Sequence, residues 1–121
     1  MINVYKYLNL EEAVKRIGDA DLVNEMLHML NESMEQDWFG FEHHMSTHNY
    51  AEAGKILHTL KGTIPFFTDE ETANVLNQME SLLKKTKNET DFTLQFRDLR
   101  VHVNGFMTDL KTWAGNERNS Y

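Results

Sequence analysis

Apolar residues recur at intervals of three and four along residues 19–46, and this pattern constrains the fold more than any other feature of the chain. The stripe consists of Leu22, Val23, Met26, Leu27, Leu30, Met34, Trp38, Phe41 and Met45. An α-helix places residues with this spacing on one face. The segment therefore predicts one long helix that begins after a cap at Asp19 or Asp21 and ends near His44 or Ser46.

The rest of the chain also favours helices, because one proline and six glycines in 121 residues leave few positions that interrupt them. The other predicted helices cover residues 10–17, about 49–64, about 68–85 and about 90–113. Gly18 is expected to close the first of them. Thr68 and Glu71 have the spacing of a capping box for the fourth. Residues 115–121 are polar and are predicted to fray.

Four long amphipathic helices joined by short loops predict an all-α fold, an antiparallel four-helix bundle with a short additional N-terminal helix across one end. The length suits a single domain, residues 1–121, with a core from about 8 to 114 and a polar tail from 115 to 121. The initial methionine and the polar tail favour a protein that stands alone over a piece of a larger one.

The charge balance restricts the partners. Twelve lysines and arginines stand against 19 aspartates and glutamates, and the net charge of −7 repels nucleic acid and anionic lipid. The absence of cysteine suits a reducing compartment. Residues 1–6 lack the charged start, long apolar core and small-residue cleavage site of a secretory signal, so we expect none, and no apolar run approaches the ~20 residues of a membrane span. We expect a cytoplasmic monomer that binds neither nucleic acid nor membrane.

The third predicted helix has an unusual face centred on His58. Its core side is formed by Ala53, Ile56, Leu57, Leu60 and Ile64. His58 falls on the opposite side, with Gly54 and Gly62 one turn away in either direction. Glycine inside a helix costs about 0.5–1 kcal/mol relative to alanine. Two glycines flanking one histidine therefore indicate a surface on which another protein can approach the imidazole closely.

The side chains around His58 suit phosphoryl chemistry. A neutral imidazole can attack a phosphoryl group near neutral pH, and Lys61 can neutralise part of the phosphoryl charge. The third and fourth helices are expected to run antiparallel and to be joined by a turn near residue 69. Two residues then lie at the same level along the helix axes when they are equally far from the turn, so that their numbers sum to about 138. His58 and Glu80 meet this condition. The Glu80 carboxylate can then accept the Nδ1 proton and leave Nε2 free. Glu80 also lies four residues before Lys84, so a simple surface ion pair is the alternative.

The run His58-Thr59-Leu60-Lys61-Gly62 resembles the motif of histidine-containing phosphotransfer (HPt) domains, a phospho-accepting histidine followed by an apolar residue, lysine and glycine. Asn49, Gly18-Asp19 and Glu80 also match positions of the family, and the resemblance covers roughly residues 8–110.

Membership would imply that His58 exchanges a phosphoryl group with the aspartate of a response-regulator receiver domain, which can belong to a hybrid histidine kinase. Lys61 and Glu80 would assist His58. The receiver would supply Mg²⁺, and this chain would have no kinase activity, nucleotide site or cofactor of its own.

The receiver would dock on the face that includes Gly54, Lys55, Gly62 and Pro65. Two residues depart from the family's pattern: Pro65 stands where a small residue is usual, and Thr68 stands where a glycine is usual. Proline lacks a backbone donor and collides with the carbonyl four residues earlier. We therefore expect the helix to kink or end at Pro65 and the docking surface to be reshaped there.

Two other functions remain open from the sequence. Pro65 is compatible with a docking module that works without phosphorylation. The pairs His28/Glu32 and His44/His48 have the i,i+4 spacing of metal ligands, as in hemerythrin-like bundles. Both pairs start within one predicted helix, however, whereas such a site draws ligands from several helices. We therefore expect no metal.

Overall fold

The computed structural model describes residues 5–85 and 92–119. Its helices are α1 (Leu10–Ile17), α2 (Ala20–Ser46), α3 (Tyr50–Thr63), α4 (Glu70–Lys85) and α5 (Thr93–Asn119), with a 3₁₀ turn over Ile64–Phe66. No strand occurs in these two ranges, so the predicted all-α class is confirmed. The predicted start of the fifth helix at Thr90 lies outside the described residues.

The long helix predicted from the apolar stripe is α2. Its N-terminal cap is Asp19, whose carboxylate accepts hydrogen bonds from the backbone N–H groups of Asp21 and Leu22. Gly18 ends α1 with a φ of 86°, a left-handed conformation that glycine adopts without strain. The buried residues of α2 are Val23, Leu27, Leu30, Met34, Trp38, Phe41 and Met45. Leu22 is exposed, so the predicted stripe is wrong at that residue.

The four long helices enclose one core. Helix α2 packs against α3, α3 against α4, α4 against α5, and α5 against α2, while α1 packs against α2 and the 3₁₀ turn. Fully buried side chains from all four include Leu27, Phe41, Leu57, Leu76, Met79, Leu99 and Phe106. Burial of such a side chain contributes roughly 1.5–3 kcal/mol. This shared core fixes which faces of α3 and α4 point outward.

Helix α3 ends before Pro65. Its last residue is Thr63, and Pro65 lies in the first turn of the 3₁₀ segment, where its missing N–H is tolerated. The prediction that the helix ends at this proline is confirmed.

The predicted capping box at Thr68 is wrong. The cap of α4 is Asp69, whose carboxylate accepts the backbone N–H of Thr72 at 2.8 Å. Thr68 is fully buried instead, and its hydroxyl donates to the Tyr7 carbonyl at 2.7 Å. The N-terminal segment pairs with Thr68 through Leu8, and this tertiary contact overrides the local capping preference.

Helix α5 continues to Asn119, so the predicted fraying is wrong for residues 115–119. Ala114 is buried, and the side-chain amide of Asn116 donates to the Tyr5 hydroxyl at 3.4 Å. These contacts tie the end of α5 to the N-terminal segment. Within the described ranges, no helix combines the length and apolar character needed to cross a bilayer.

Candidate functional site

The His58 side chain lies on the outer face of α3, beside α4, and 75% of it is exposed. Helix α3 turns it outward because Ala53, Leu57 and Leu60 occupy the buried side of the same helix. The structure therefore places His58 on the face that the periodicity of the third helix predicts.

Glu80 of α4 contacts the His58 ring. Its Oε2 atom is 3.3 Å from Nδ1. Only 4% of Glu80 is exposed, so the carboxylate lies deeper than the helix-edge position predicted from the sequence. An ionised carboxylate can only accept hydrogen bonds, so Nδ1 carries the proton in this pair. The lone pair of the imidazole is then on Nε2.

Two lysines share the other oxygen of Glu80. Lys84 Nζ lies 2.9 Å and Lys61 Nζ 3.3 Å from Oε1. Lys84 is the i,i+4 partner that the sequence offers as an alternative to His58, and in the structure Glu80 contacts both. A charge of −1 on Glu80 beside two ammonium groups leaves a net charge of +1 next to the imidazole. The group is therefore suited to attract an anion.

These contacts keep Glu80 ionised despite its burial. The hydrogen bond from Lys84 is the main cause that lowers the pKa of the Glu80 carboxyl below its ordinary value; burial opposes the shift, and hydrogen bonds from Lys61 and His58 add to it. A buried carboxylate without partners would instead favour its neutral form. At neutral pH, Glu80 is thus an anionic acceptor for the Nδ1 proton.

The glycines that flank His58 have no packing role in the described structure. A Cβ atom added at Gly54 or Gly62 would meet no atom within 4 Å. Because glycine destabilises a helix interior, their presence is not explained by stability. What they provide is low, open surface on both sides of the imidazole.

A shallow groove next to His58 is lined by residues of α3 and α4. They are Tyr50, Ala51, Gly54, Lys55, His58, Glu80, Leu83 and Lys84. Tyr50 and Leu83 are not among the site residues that the sequence predicts. The signal for Leu83 is its position three residues after Glu80, which puts both on one side of α4. Tyr50 carries no comparable signal, because its ring position depends on packing between helices.

The remaining predicted docking residues lie at different distances from this groove. Lys55 lines it, is exposed, and pairs with Glu52 at 3.0 Å. Gly62 is exposed one turn beyond His58, toward the end of α3. Pro65 lies in the 3₁₀ turn, and its carbonyl accepts a hydrogen bond from the Arg16 guanidinium of α1. The turn at Pro65 is thus joined to α1 rather than to the groove.

The histidines considered as metal ligands have other neighbours. The His28 ring centroid is 4.6 Å from that of Trp113, and His48 Nδ1 is 2.8 Å from the Tyr50 hydroxyl. Among the described side chains, no three of the His, Asp or Glu type converge as metal ligands would.

The described site is one connected group in which an exposed imidazole and two lysines surround a buried carboxylate. Its chemical capacity is nucleophilic, because the imidazole is largely exposed beside positive charge and its Nδ1 atom is engaged by Glu80. Comparisons of the chain with models of protein families, with curated proteins and with solved structures find no match.

Proposed function

We propose that this chain is a phosphorelay intermediate of the HPt type, in which His58 accepts a phosphoryl group and exchanges it with the aspartate of a receiver domain. The observation that carries the proposal is the exposed His58 ring, with Nδ1 held at 3.3 Å by the buried Glu80 carboxylate. The resemblance of His58-Thr59-Leu60-Lys61-Gly62 to the HPt motif supports it. We further propose that α2 to α5 form the antiparallel bundle of that family and that the protein works in the cytoplasm as a monomer.

The transfer begins with a receiver domain that carries an aspartyl phosphate. The Nε2 lone pair of His58 attacks the phosphorus atom, a P–N bond forms, and the P–O bond to the aspartate breaks. The aspartate leaves as a carboxylate with the electron pair of that bond. The Nδ1 proton stays on the ring, where Glu80 stabilises the positive charge of the phosphorylated imidazole. The reverse reaction returns the group to a receiver, which would supply the Mg²⁺ that neutralises charge on the transferring oxygens.

The two lysines take different roles in this proposal. Lys84 is nearer to Glu80, at 2.9 Å, and lies on the same helix, so it keeps the carboxylate paired throughout. Lys61 follows His58 by three residues on α3 and is free to move from Glu80 to a phosphoryl oxygen. Charge-assisted contacts to phosphate are stronger than neutral hydrogen bonds. Lys61 therefore stabilises phosphohistidine without leaving Glu80 unpaired.

Incubation of the purified protein with a receiver domain phosphorylated with ³²P tests the proposal. We expect label to move to this chain as phosphate that is lost in acid and retained in alkali, the behaviour of phosphohistidine. Removal of Mg²⁺ by EDTA should slow the transfer, because the receiver's metal stabilises the transition state. No transfer from any of a panel of receivers, or label that is stable in acid, would contradict the function.

Glu80→Ala is expected to slow transfer by roughly tenfold to a hundredfold, because a misoriented nucleophile loses much of the benefit of positioning. Glu80→Gln keeps an acceptor oxygen for Nδ1–H and should lose less. Since Glu80 acts through His58, the ring itself supplies the second readout. ¹⁵N NMR should show the Nδ1–H form of His58 in the wild type and a mixture of tautomers in Glu80→Ala. Equal rates and equal tautomer populations in all three proteins would refute the positioning role.

Gly54→Ala and Gly62→Ala are each expected to raise the free energy of unfolding by about 0.5–1 kcal/mol while slowing transfer from the receiver. The added methyl group meets only solvent within this chain, but it stands beside the imidazole that the partner must reach. Gly115→Ala is the matched control. The added Cβ would also meet no atom within 4 Å, but Gly115 lies on α5, away from His58. Denaturant unfolding and transfer rates measure both effects. If all three variants transferred at the wild-type rate, the access role of Gly54 and Gly62 would be wrong.

A further inference from the structure

A second groove lies where the C-terminal part of α2, the start of α3 and the start of α5 meet. It is open to solvent and has a volume of about 920 Å³. Its lining includes the aromatic residues Phe39, Tyr50 and Phe96 and the cationic residues Arg97 and Arg100. Phe39 is 72% exposed, the highest exposure among the large apolar side chains of the described chain. The groove thus combines uncovered aromatic surface with arginines.

The described lining of this groove is positive, whereas the whole chain carries −7. Glu42 is the one acidic residue among the described residues that line it, and its Oε2 atom lies 3.3 Å from Arg100 Nε. Arg97 is exposed and has no ion pair with a described residue. Among the described residues that line the groove, two arginines and one glutamate give a formal charge of +1, without counting His43 and His48. Within the described part of the chain, Arg97 therefore has no acidic partner, and its guanidinium can pair with an acidic group of a ligand.

The aromatic wall is built on the core. The Phe96 centroid lies 5.8 Å from that of Phe41 and 6.3 Å from that of Trp38, so core rings support it from behind. The Arg100 guanidinium lies 4.7 Å from the centroid of the same ring. Phe39 stands on the α2 side of the groove. Rigid aromatic surface beside arginine is the kind of site that anchors one large side chain of a protein partner.

The charge distribution selects the class of ligand. Single-stranded nucleic acid also stacks on aromatic side chains and binds arginine. The chain as a whole carries −7, however, and this charge repels a long polyanion more strongly than a short segment with few negative charges. Complementary charge favours such a segment over both a basic peptide and a nucleic acid.

Tyr50 connects this groove to the one beside His58, because it lines both. Its hydroxyl lies 2.8 Å from His48 Nδ1, and its ring centroid is 5.1 Å from that of Phe92. A segment in the second groove would therefore lie next to any partner that reaches His58 along α3.

We propose that the groove between Phe39 and Phe96 binds a short acidic peptide segment of a partner protein. One aromatic or large apolar side chain of the segment packs between the two phenylalanines, and a flanking carboxylate pairs with Arg97. The proposal does not depend on phosphoryl transfer at His58.

Fluorescence anisotropy with the full chain tests the proposal. The probe is a fluorescein-labelled short peptide of aspartate and glutamate around a single tryptophan. We expect saturable binding by the wild type and a loss of affinity of about tenfold or more in Phe39→Ser and in Arg97→Glu. Matched controls outside the groove are Met29→Ser, which removes another exposed apolar residue of α2, and Lys85→Glu, which reverses another exposed cation. Both controls and His58→Gln should bind as the wild type does.

Because Phe39 and Arg97 are exposed, their variants should keep the wild-type circular dichroism spectrum. The proposal is overturned if the wild type shows no saturable binding, or if either groove variant binds the probe with wild-type affinity. It is equally overturned if a peptide with serine in place of tryptophan binds with the same affinity, since the aromatic side chain would then contribute nothing to binding. Tighter binding of a fluorescein-labelled single-stranded RNA would assign the groove to nucleic acid instead.

Discussion

His58→Gln is expected to abolish phosphoryl uptake from a phosphorylated receiver. Glutamine keeps a polar side chain of similar size at an exposed position of α3, but its amide nitrogen has no lone pair available for attack on phosphorus. The fold should be unaffected, because 75% of the His58 side chain is exposed and its removal opens no cavity. Transfer of ³²P followed by gel electrophoresis measures the loss.

His28→Gln is the matched control for this experiment. His28 is also exposed and lies on α2, and it lines neither of the two grooves. This variant should take up phosphate at the wild-type rate. Retained uptake in His58→Gln would show that the phosphoacceptor is another residue, and equal loss in both variants would show that the loss is not specific to His58.

Gly105→Ala is expected to destabilise the fold by about 1–3 kcal/mol, the usual cost of overpacking a filled site. A Cβ at Gly105 would clash with Cε2 and Cδ2 of Tyr7. The Tyr7 backbone cannot shift to relieve the clash without losing hydrogen bonds, because its N–H donates to Asp109 at 2.7 Å and its carbonyl accepts from Thr68. The Tyr7 ring also packs against that of His102, with a centroid distance of 5.5 Å. Denaturant unfolding with circular dichroism measures the change.

Gly115→Ala, on the same helix with open space around its Cβ, should instead stabilise by about 0.5–1 kcal/mol. The double variant Gly105→Ala/Tyr7→Ala isolates the clash. Its destabilisation should be clearly less than the sum of the two single variants, because the alanine at 105 no longer meets a ring. Additive effects would mean that the close approach of Tyr7 to α5 is not the reason for glycine at 105.

The features that the sequence predicts well depend on residues close together in the chain. The buried stripe of α2 follows from helical periodicity, and Gly18 followed by Asp19 ends one helix and caps the next through local hydrogen bonds. The outward position of His58 has the same origin. The buried residues of α3, Ala53, Leu57 and Leu60, lie five, one and two positions from His58, and at about 100° per residue these spacings put them on the other side of the helix.

The features that the sequence does not predict depend on contacts between distant segments. Thr68 has the right neighbours for a cap, but it is buried by the N-terminal segment, whose backbone is held by Asp109 of α5. Glu80 is predicted at the correct height but not at its observed depth. Helical periodicity predicts the direction in which a side chain points, but it does not predict how closely two helices approach each other. The contact of Glu80 with both Lys61 and Lys84 depends on the distance between α3 and α4, so it is seen only in the structure.

The contact between His58 and Glu80 leads to a specific chemical consequence. If Glu80 holds the proton on Nδ1, the phosphoryl group can form a bond only with Nε2. Phosphorylation at Nδ1 would require the ring to turn over and break the contact with the carboxylate. The two isomers of phosphohistidine therefore report directly on the arrangement of the site.

The most direct test of the account is the position of the phosphoryl group in the phosphorylated protein. After transfer from a receiver, tandem mass spectrometry locates the modified residue, and ³¹P–¹⁵N correlation NMR identifies the ring nitrogen that carries phosphorus. We expect phosphate on Nε2 of His58. Phosphate on Nδ1 of His58 would contradict the orienting role of Glu80, and phosphate on any other residue would contradict the function itself.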